Sequence, residues 1–435
     1  MARIVRPGKP CTVNPLKTSQ TIGAALSFLG LDRALPMLHG AQGCTSFGLA
    51  LFVRHFRETI PMQTTAISEA SAILGGAENV AKGLLTLAER ANPEVIGLCS
   101  TALTETNGEE LRSIVRDFKI AHPDFSAAVV SVSVPDFSGA LPDGFASAVT
   151  CMVEELVEAR PARERDGRQV NILAGAHLSP ADAEALADMA RGFGLEPIVL
   201  PDLSGSLDGH VPEEFLPHTL GGTPLAAIRL MGRSAFTIAV GEHMGRPARA
   251  LAARTGVPCE VLDRATGLAA VDRLVALLSD ISGKTAPARL RRERARLEDA
   301  MLDAHFFTGG RRIAIGADPD LLFALASTLA EMGCEIGAAV ATTAAPILSA
   351  IPAREVVVGD LGDLEARAEG CDLLITTSHG RAIADRLGIP LLRAGIPVFD
   401  RLGGPQQASI GYAGTARLIF EAANLLHAEA PCTAH

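Results

Sequence analysis

The sequence predicts an α/β protein that contains three Rossmann-like domains with mostly parallel sheets. Short apolar segments with strand character alternate with amphipathic helical segments along the 435 residues, as in chains built from βαβ units. One local pattern occurs twice: Ser179-Pro180 and Asp318-Pro319 each combine a helix-capping residue with proline at the first helical position. In both cases the glycine expected to end the helix, Gly194 or Gly333, comes fifteen residues after the capping residue. The repeat indicates two Rossmann-like domains in addition to an N-terminal α/β domain.

The N-terminal domain is expected to contain a βαβ unit with a ligand-binding edge. An apolar strand at 93–100 runs into the polar loop 101–106, and a helix and another strand follow. In open α/β sheets, ligands bind where such loops leave the carboxyl ends of the strands. The other elements predicted in this domain are helices over about 19–29, 47–56, 78–91 and 107–121 and strands over about 34–38 and 125–134.

Two breaks separate the predicted domains. The first is the charged, turn-rich stretch 160–168, and the second follows an amphipathic helix over 288–304. This helix fits two roles equally well: it docks two domains against each other, or it is a linker between them. The expected domains are an N-terminal domain over 1–165, a middle domain with its connecting helix over 166–304, and a C-terminal domain over 305–435.

Composition excludes several classes of function. The net charge of −10, the absence of tryptophan and the single tyrosine argue against a nucleic-acid partner. No apolar run reaches the ~18 residues of a membrane span, and no signal peptide is visible, so we expect a cytoplasmic protein. The chain has no Walker A, GxSxG or HExxH motif, so nucleotide hydrolysis and esterase chemistry have no support in the sequence.

Cys44 is the candidate site residue. It follows Gly40, Gln42 and Gly43 between an apolar strand and a helix-like run. Glycine lets the backbone approach whatever the sulfur binds, and backbone N–H groups help a thiolate to stay ionised. The eight cysteines have no local metal-ligand spacing, so a metal at Cys44 would need ligands from elsewhere, including another chain. A small buried thiol in a tight turn fits the same residues.

Two further segments are candidates for a functional role. Ser378-His379-Gly380 is predicted at the end of a strand and the start of a helix, where an anion or the edge of a cofactor could bind. A structural, hydrogen-bonded histidine fits this position as well. The charged segment 54–58 has helical spacing and fits an ordinary exposed face. The sequence assigns no role to His379 or Arg57.

Several motifs resemble the β-type subunits of the nitrogenase component 1 family. The resemblance covers nearly the whole chain in order. Its motifs are Asn14-Pro15 with the following Leu-Lys-Thr-Ser-Gln, His39-Gly40-Ala-Gln-Gly-Cys44, Arg54-His55-Phe56-Arg57-Glu58, the segment from Ser100 to Glu110, and Ser378-His379-Gly380 through Phe399-Asp400-Arg401.

One departure separates this chain from the catalytic subunit of that family. The resemblance implies that the catalytic β subunit supplies three cysteines to an eight-iron cluster, at positions that are Ser19, Cys44 and Ala102 here. One thiolate cannot hold half of such a cluster, but one with three from a partner completes a [4Fe–4S] site. The resemblance therefore favours a subunit of the scaffold that assembles the iron–molybdenum cofactor, with Cys44 as metal ligand and Gly43 beside the cluster.

The resemblance also implies partners. The N-terminal domain would carry the interface with an α-type (E-type) subunit, and two such pairs would form an α2β2 heterotetramer. A cofactor precursor would be held mainly by the partner, and the nitrogenase iron protein would assist maturation. Whether such a subunit counts as an enzyme is left open. The alternatives are a β-type subunit of nitrogenase or of dark-operative protochlorophyllide reductase, and a metal-free sugar- or nucleotide-binding α/β protein.

Overall fold

A computed structural model describes residues 1–9, 15–159, 164–210 and 215–428. Cys11, Asn14 and Cys432 lie outside these residues. The chain divides into two compact units, one formed by Ser19–Val261 and the other by Met1–Thr18 together with Leu262–His435. The domain boundaries expected from the sequence, at 165 and 304, remain a prediction.

The strands and helices alternate along most of the described chain. The strands are β1 (Arg3–Val5), β2 (Ala34–His39), β3 (Gln63–Thr64), β4 (Val95–Ser100), β5 (Ala128–Val132), β6 (Asp166–Leu173), β7 (Glu196–Val199), β8 (Ser234–Val240), β9 (Cys259–Leu262), β10 (Arg312–Ala317), β11 (Glu335–Ala341), β12 (Glu355–Val358), β13 (Leu373–Thr376) and β14 (Leu391–Arg393). The α-helices are α1 (Gln20–Leu29), α2 (Gln42–Phe56), α3 (Glu69–Leu74), α4 (Ala77–Ala91), α5 (Ala102–Thr106), α6 (Leu111–Ala121), α7 (Leu141–Leu156), α8 (Pro180–Gly192), α9 (Leu225–Leu230), α10 (Gly245–Thr255), α11 (Leu268–Ser282), α12 (Ala288–Thr308), α13 (Pro319–Glu331), α14 (Leu361–Ala368), α15 (Arg381–Leu387) and α16 (Gly411–Ala428).

Three parallel sheets confirm the predicted fold class. The unit 19–261 holds two four-stranded sheets, with strand orders β3-β2-β4-β5 and β7-β6-β8-β9. The other unit holds a six-stranded sheet with the order β1-β12-β11-β10-β13-β14. Strand order reverses beside β2, β6 and β10, as in doubly wound folds, and this creates a crevice at the carboxyl end of each sheet.

The repeated capping pattern was predicted correctly. Ser179 is the N-cap of α8, where its hydroxyl accepts from the backbone N–H of Asp182, and Asp318 is the N-cap of α13. Gly194 and Gly333 follow these helices in the left-handed conformation, with φ of 77° and 79°. The Asp318 side chain makes no capping bond and instead accepts from the Thr342 hydroxyl at 2.5 Å.

Three local expectations were wrong. Helix α2 begins at Gln42 rather than near residue 47, so Cys44 lies in its first turn and not in a tight turn before it. The predicted loop 101–106 is the short helix α5, because the Thr104 hydroxyl accepts from the backbone N–H of Thr101 at 3.1 Å. Strand β6 begins at Asp166, inside the predicted break, because this residue pairs with the neighbouring strand β8.

The first residues complete the C-terminal sheet. Strand β1 pairs in parallel with β12, with Arg3 opposite Glu355. The ammonium group of Lys9 then contacts Asp360 at 3.0 Å and Asp363 at 3.3 Å. Burial alone would raise the pKa of Asp360, but the backbone N–H of Asp363 and the ammonium group of Lys9 outweigh it and lower this pKa. The edge strand is therefore anchored by both backbone and charge.

None of the described helices combines the length and the apolar character that a membrane crossing requires.

Helices α1 and α7 pack against each other through glycine. Every residue of α1 is buried. A Cβ atom on Gly144 of α7 would lie 1.9 Å from the carbonyl oxygen of Gln20, and a Cβ on Gly23 of α1 would lie 1.9 Å from that of Leu141. Backbone oxygens cannot rotate away as side chains do, so the helix separation depends on these two glycines.

We expect Gly144→Ala to lower the free energy of unfolding by about 1–3 kcal/mol, because the added methyl group forces the two helices apart. Gly167→Ala is the control, since a Cβ there has no neighbour within 4 Å. Chemical denaturation of the two variants and the wild type measures the difference. Equal stability of Gly144→Ala and wild type would show that the helices separate without cost.

Candidate functional site

The candidate site lies at the point where the first sheet reverses its strand order. Strands β2 and β4 are neighbours, and their carboxyl ends, at His39 and Ser100, pair with each other. The chain continues from one end into the first turn of α2 and from the other into α5. Cys44 and Ala102 therefore start from adjacent strands, at the edge where doubly wound sheets bind ligands.

Threonine hydroxyls join the two strand ends. The hydroxyls of Thr101 and Thr104 donate to the carbonyl oxygen of His39 at 2.9 and 3.2 Å. The backbone N–H of Gly40 donates to the hydroxyl of Thr65 at 3.2 Å. These bonds restrict the conformation of the segment that leads into α2.

The Cys44 thiol is exposed in the first turn of α2, and its own backbone N–H donates to the Ala41 carbonyl at 3.2 Å. Partial loss of hydration and the nearby negative charge of Asp136 raise the pKa of Cys44, and they outweigh the lowering effect of the backbone N–H groups of Cys44 and Ala41. The thiol is therefore favoured over the thiolate in this chain, and a nearby cation would shift the balance towards the thiolate.

Among the described residues, no contact requires glycine at position 43. It is exposed in the first turn of α2, has no positive φ, and a Cβ there would have no neighbour within 4 Å. Glycine in a helix costs roughly 0.5–1 kcal/mol relative to alanine. The open space beside Cys44 thus suits a group that approaches the backbone from outside the chain.

Asp136 connects the helices at this edge, and the sequence analysis missed it. Its carboxylate accepts from the hydroxyl of Thr21 in α1 at 2.8 Å and from the backbone N–H of Ala102 at 3.4 Å. Asp136 comes just after the predicted strand 125–134, and that position, a carboxylate beyond the carboxyl end of a strand, is the signal that could have identified it.

The other two positions singled out by the family resemblance lie at the same edge but carry no thiol. Ser19 is the N-cap of α1, where its hydroxyl accepts from the backbone N–H of Ile22 at 3.5 Å. Ala102 is the first residue of α5. Among the described residues, no group of three or more His, Cys, Asp or Glu side chains could hold a metal ion. Cys44 therefore does not belong to a cluster of that size within the described part of the chain.

Two other cysteines are unsuitable as ligands. Cys99 is fully buried in β4, where burial strongly raises its pKa, and its thiol lies 3.9 Å from the carbonyl oxygen of Gly97. Cys259 is half-buried at the start of β9. Cys99 packs inside its sheet, whereas Cys259 lies on β9, the edge strand of a different sheet.

Large apolar side chains are exposed around Cys44. Phe47 lies one turn later in α2, and Phe137 follows Asp136. Helix α3 has no buried residue, and the amide of Asn107 donates to one of its carbonyl groups. The exposed apolar residues of this edge are Phe47, Ile73, Leu74 and Phe137, with exposed fractions of 69%, 84%, 86% and 66%. Such a concentration is typical of a surface that a partner covers.

His379 lies in a turn after β13, and Arg57 lies at the end of α2. Residues Ser378–Gly380 form a single 3-10 turn after β13, and the exposed His379 ring packs 5.4 Å from that of Phe399. The hydroxyl of Ser378 donates to the carboxylate of Asp400 at 2.5 Å. Arg57 ends α2 in the left-handed conformation, with φ of 60°, and its N–H donates to the Val53 carbonyl.

The comparison with family models gives a match over residues 19–427 to nitrogenase component 1 type oxidoreductases. A nitrogenase iron-molybdenum cofactor biosynthesis protein NifN from Bradyrhizobium diazoefficiens is 51% identical over 98% of this chain and 92% of its own length. The NifN of Klebsiella pneumoniae is 40% identical over 98% of this chain and 93% of its own length.

Solved structures show the same fold. One chain of nitrogenase Cp1 at pH 6.5 superimposes with a TM-score of 0.93 and 30% identity, over 99% of this chain and 97% of its own length. A chain of nitrogenase Cp1 at pH 5 superimposes with a TM-score of 0.74 at 11% identity, which supports the fold alone.

Asp136→Asn should lower the pKa of Cys44, because it removes the negative charge that opposes the thiolate. The pH dependence of Cys44 alkylation, followed on its own peptide by mass spectrometry, measures this pKa. Asp117→Asn is the control, since Asp117 is an exposed carboxylate that pairs with Arg116 in α6. An unchanged alkylation profile in Asp136→Asn would refute the electrostatic link between the two residues.

Proposed function

Because the chain belongs to the nitrogenase component 1 family, we propose that it is a subunit of the scaffold complex on which the nitrogenase iron–molybdenum cofactor is assembled and matured. Its relatives at 40% and 51% identity are cofactor biosynthesis proteins and match nearly the whole chain. The cofactor precursor is the cargo of this complex, held mainly by the partner subunit.

In this proposal Cys44 supplies one ligand to a [4Fe–4S] cluster shared with the partner. The observation that carries it is the open space at Gly43, next to an exposed thiol whose raised pKa a nearby cation would lower. Cluster iron is such a cation. The cluster, when bound, supplies one-electron transfer, while this chain fixes one sulfur and leaves its backbone accessible beside it.

The ligand count explains why a partner is needed. A [4Fe–4S] cluster takes four thiolates, and Cys44 belongs to no group of three or more potential metal ligands among the described residues. Three ligands then come from an α-type (E-type) partner, in an α2β2 heterotetramer that the nitrogenase iron protein visits. The exposed apolar residues Phe47 and Phe137 support a covered interface at this edge, where they exclude water from the sulfur.

A second candidate is a β-type subunit of a related oxidoreductase, nitrogenase or dark-operative protochlorophyllide reductase. The TM-score of 0.93 with a nitrogenase Cp1 chain supports this alternative. Ser19 and Ala102 argue against nitrogenase itself, since neither can supply a thiolate. Co-expression with α-type partners, followed by iron analysis and assays of cofactor maturation and of substrate reduction, separates the candidates.

We expect Cys44→Ala to remove the [4Fe–4S] EPR signal and most cofactor maturation while both subunits still co-purify. The thiol is exposed, so the substitution should change the stability of the chain by no more than about 0.5 kcal/mol. Iron content per complex and the EPR spectrum of the reduced complex are the measurements.

Cys99→Ala and Cys259→Ala are the matched controls for this experiment. They should lower stability modestly and leave iron content unchanged, because Cys99 is buried in β4 and Cys259 belongs to the separate sheet that contains β9. Full iron in Cys44→Ala, together with loss of iron in Cys99→Ala, would mean that the ligand is assigned to the wrong cysteine.

Gly43→Ala tests the space beside the sulfur. We expect the unfolding free energy of the chain to stay unchanged or to rise by up to about 1 kcal/mol, because alanine is the better helix residue. Iron content of the complex should fall, because the methyl group occupies the space needed by the cluster. Gly167→Ala, also without neighbours, should leave both quantities unchanged. Full iron content in Gly43→Ala would contradict the proposed approach of the cluster.

A further inference from the structure

We propose that His39 and Glu109 are a positioning pair that holds the first turn of α2, and with it Cys44, in a fixed place before any metal binds. The importance of Cys44 in this inference rests on the proposed function. The hydrogen bonds of the pair all lie within this chain.

A directed chain of hydrogen bonds carries the inference. The N–H of Gly40 donates to the Thr65 hydroxyl at 3.2 Å, and that hydroxyl lies 3.0 Å from Nδ1 of His39. The other ring nitrogen, Nε2, lies 2.8 Å from Oε2 of Glu109. The same oxygen accepts from the N–H of Gly76 at 3.2 Å. The segment before Cys44 is thereby connected to the start of α4.

The hydrogen bonds around His39 agree with one tautomer of its ring. The ring is fully buried, and burial lowers its pKa more than the carboxylate of Glu109 raises it. The imidazole is therefore neutral at physiological pH. Because the Thr65 oxygen already accepts from Gly40, its proton is free for Nδ1, and Nε2 then donates to Glu109. Each donor of this hydrogen-bond series then has an acceptor.

The backbone of Gly76 packs closely against the pair. A Cβ atom on Gly76 would lie 2.5 Å from Cε1 of His39 and 3.0 Å from Oε2 of Glu109. The carbonyl oxygen of His39 is held at the same time by the hydroxyls of Thr101 and Thr104. Both the ring and the backbone of His39 are thus fixed, five residues before the proposed ligand.

Glu109 uses only one of its two carboxylate oxygens for these bonds. Oε1 is buried and has no hydrogen-bond partner among the described residues. Both described donors reach Oε2. An amide oxygen can therefore replace Oε2, which makes Glu109→Gln a conservative variant and Glu109→Ala a disruptive one. Glu105 offers a matched control, because its carboxylate accepts from the Ser133 hydroxyl beside a cavity of about 450 Å³ that Glu109 also lines.

The test measures hydrogen exchange in the full-length chain, co-expressed with an α-type partner, with and without iron. Glu109→Ala should speed exchange in residues 40–45 severalfold while strand β4 exchanges as in the wild type, and it should lower iron per complex. Glu109→Gln should restore slow exchange, and Glu105→Ala should behave as the wild type. If Glu109→Ala does not fold, Glu109→Asp, whose shorter side chain cannot reach both donors, replaces it.

Two outcomes overturn the inference. One is unchanged exchange in residues 40–45 of Glu109→Ala. The other is a uniform increase across residues 19–261, which would mean a purely structural role. Failure of the proposed function looks different: no preparation, including the wild type, would contain a cluster, while the exchange pattern of the variants would still report on the pair.

Discussion

The hydroxyls of Thr101 and Thr104 both donate to the carbonyl oxygen of His39, and the candidate site depends on this connection. It fixes the segments that leave two neighbouring parallel strands at the point where strand order reverses. The helices that follow those strands then begin at fixed places, and Cys44 and Ala102 with them. In a doubly wound sheet the connections on the two sides of this point run in opposite directions and leave a crevice between them. The hydroxyls of Thr101 and Thr104 link the two strand ends at the base of that crevice.

Features that depend on neighbouring residues were predictable from the sequence. The helices that begin after Ser179 and Asp318 and stop before Gly194 and Gly333 follow from capping and from the conformational freedom of glycine. The start of α2 was missed for a related reason. Its N-cap is Ala41, which has no capping oxygen, and the glycines nearby favour a turn in any local analysis.

Contacts between residues that are far apart in the sequence could not be predicted from a single sequence. Asp136 meets Thr21, which is 115 residues away, and His39 meets Glu109, which is 70 residues away. Only the parallel pairing of β2, β4 and β5 brings these groups to one edge. Cys44 could be singled out by its glycine neighbours, but the raised pKa of its thiol comes from partial loss of hydration and from the charge of Asp136, which is distant in the sequence. In the proposed complex, metal binding must therefore release a proton, which makes cluster insertion easier at higher pH.

The pairing of β1 with β12 has a consequence for the order of folding during synthesis. Arg3 and its partner Glu355 are 352 residues apart, so the ribosome releases this strand long before the sheet that receives it. At the usual elongation rate of roughly 5–20 residues per second, it waits for tens of seconds. Meanwhile the unit 19–261 already has all of its strands and can fold first. The leading segment can therefore join its sheet only after Glu355–Val358 has been made, although it is the first part of the chain to leave the ribosome.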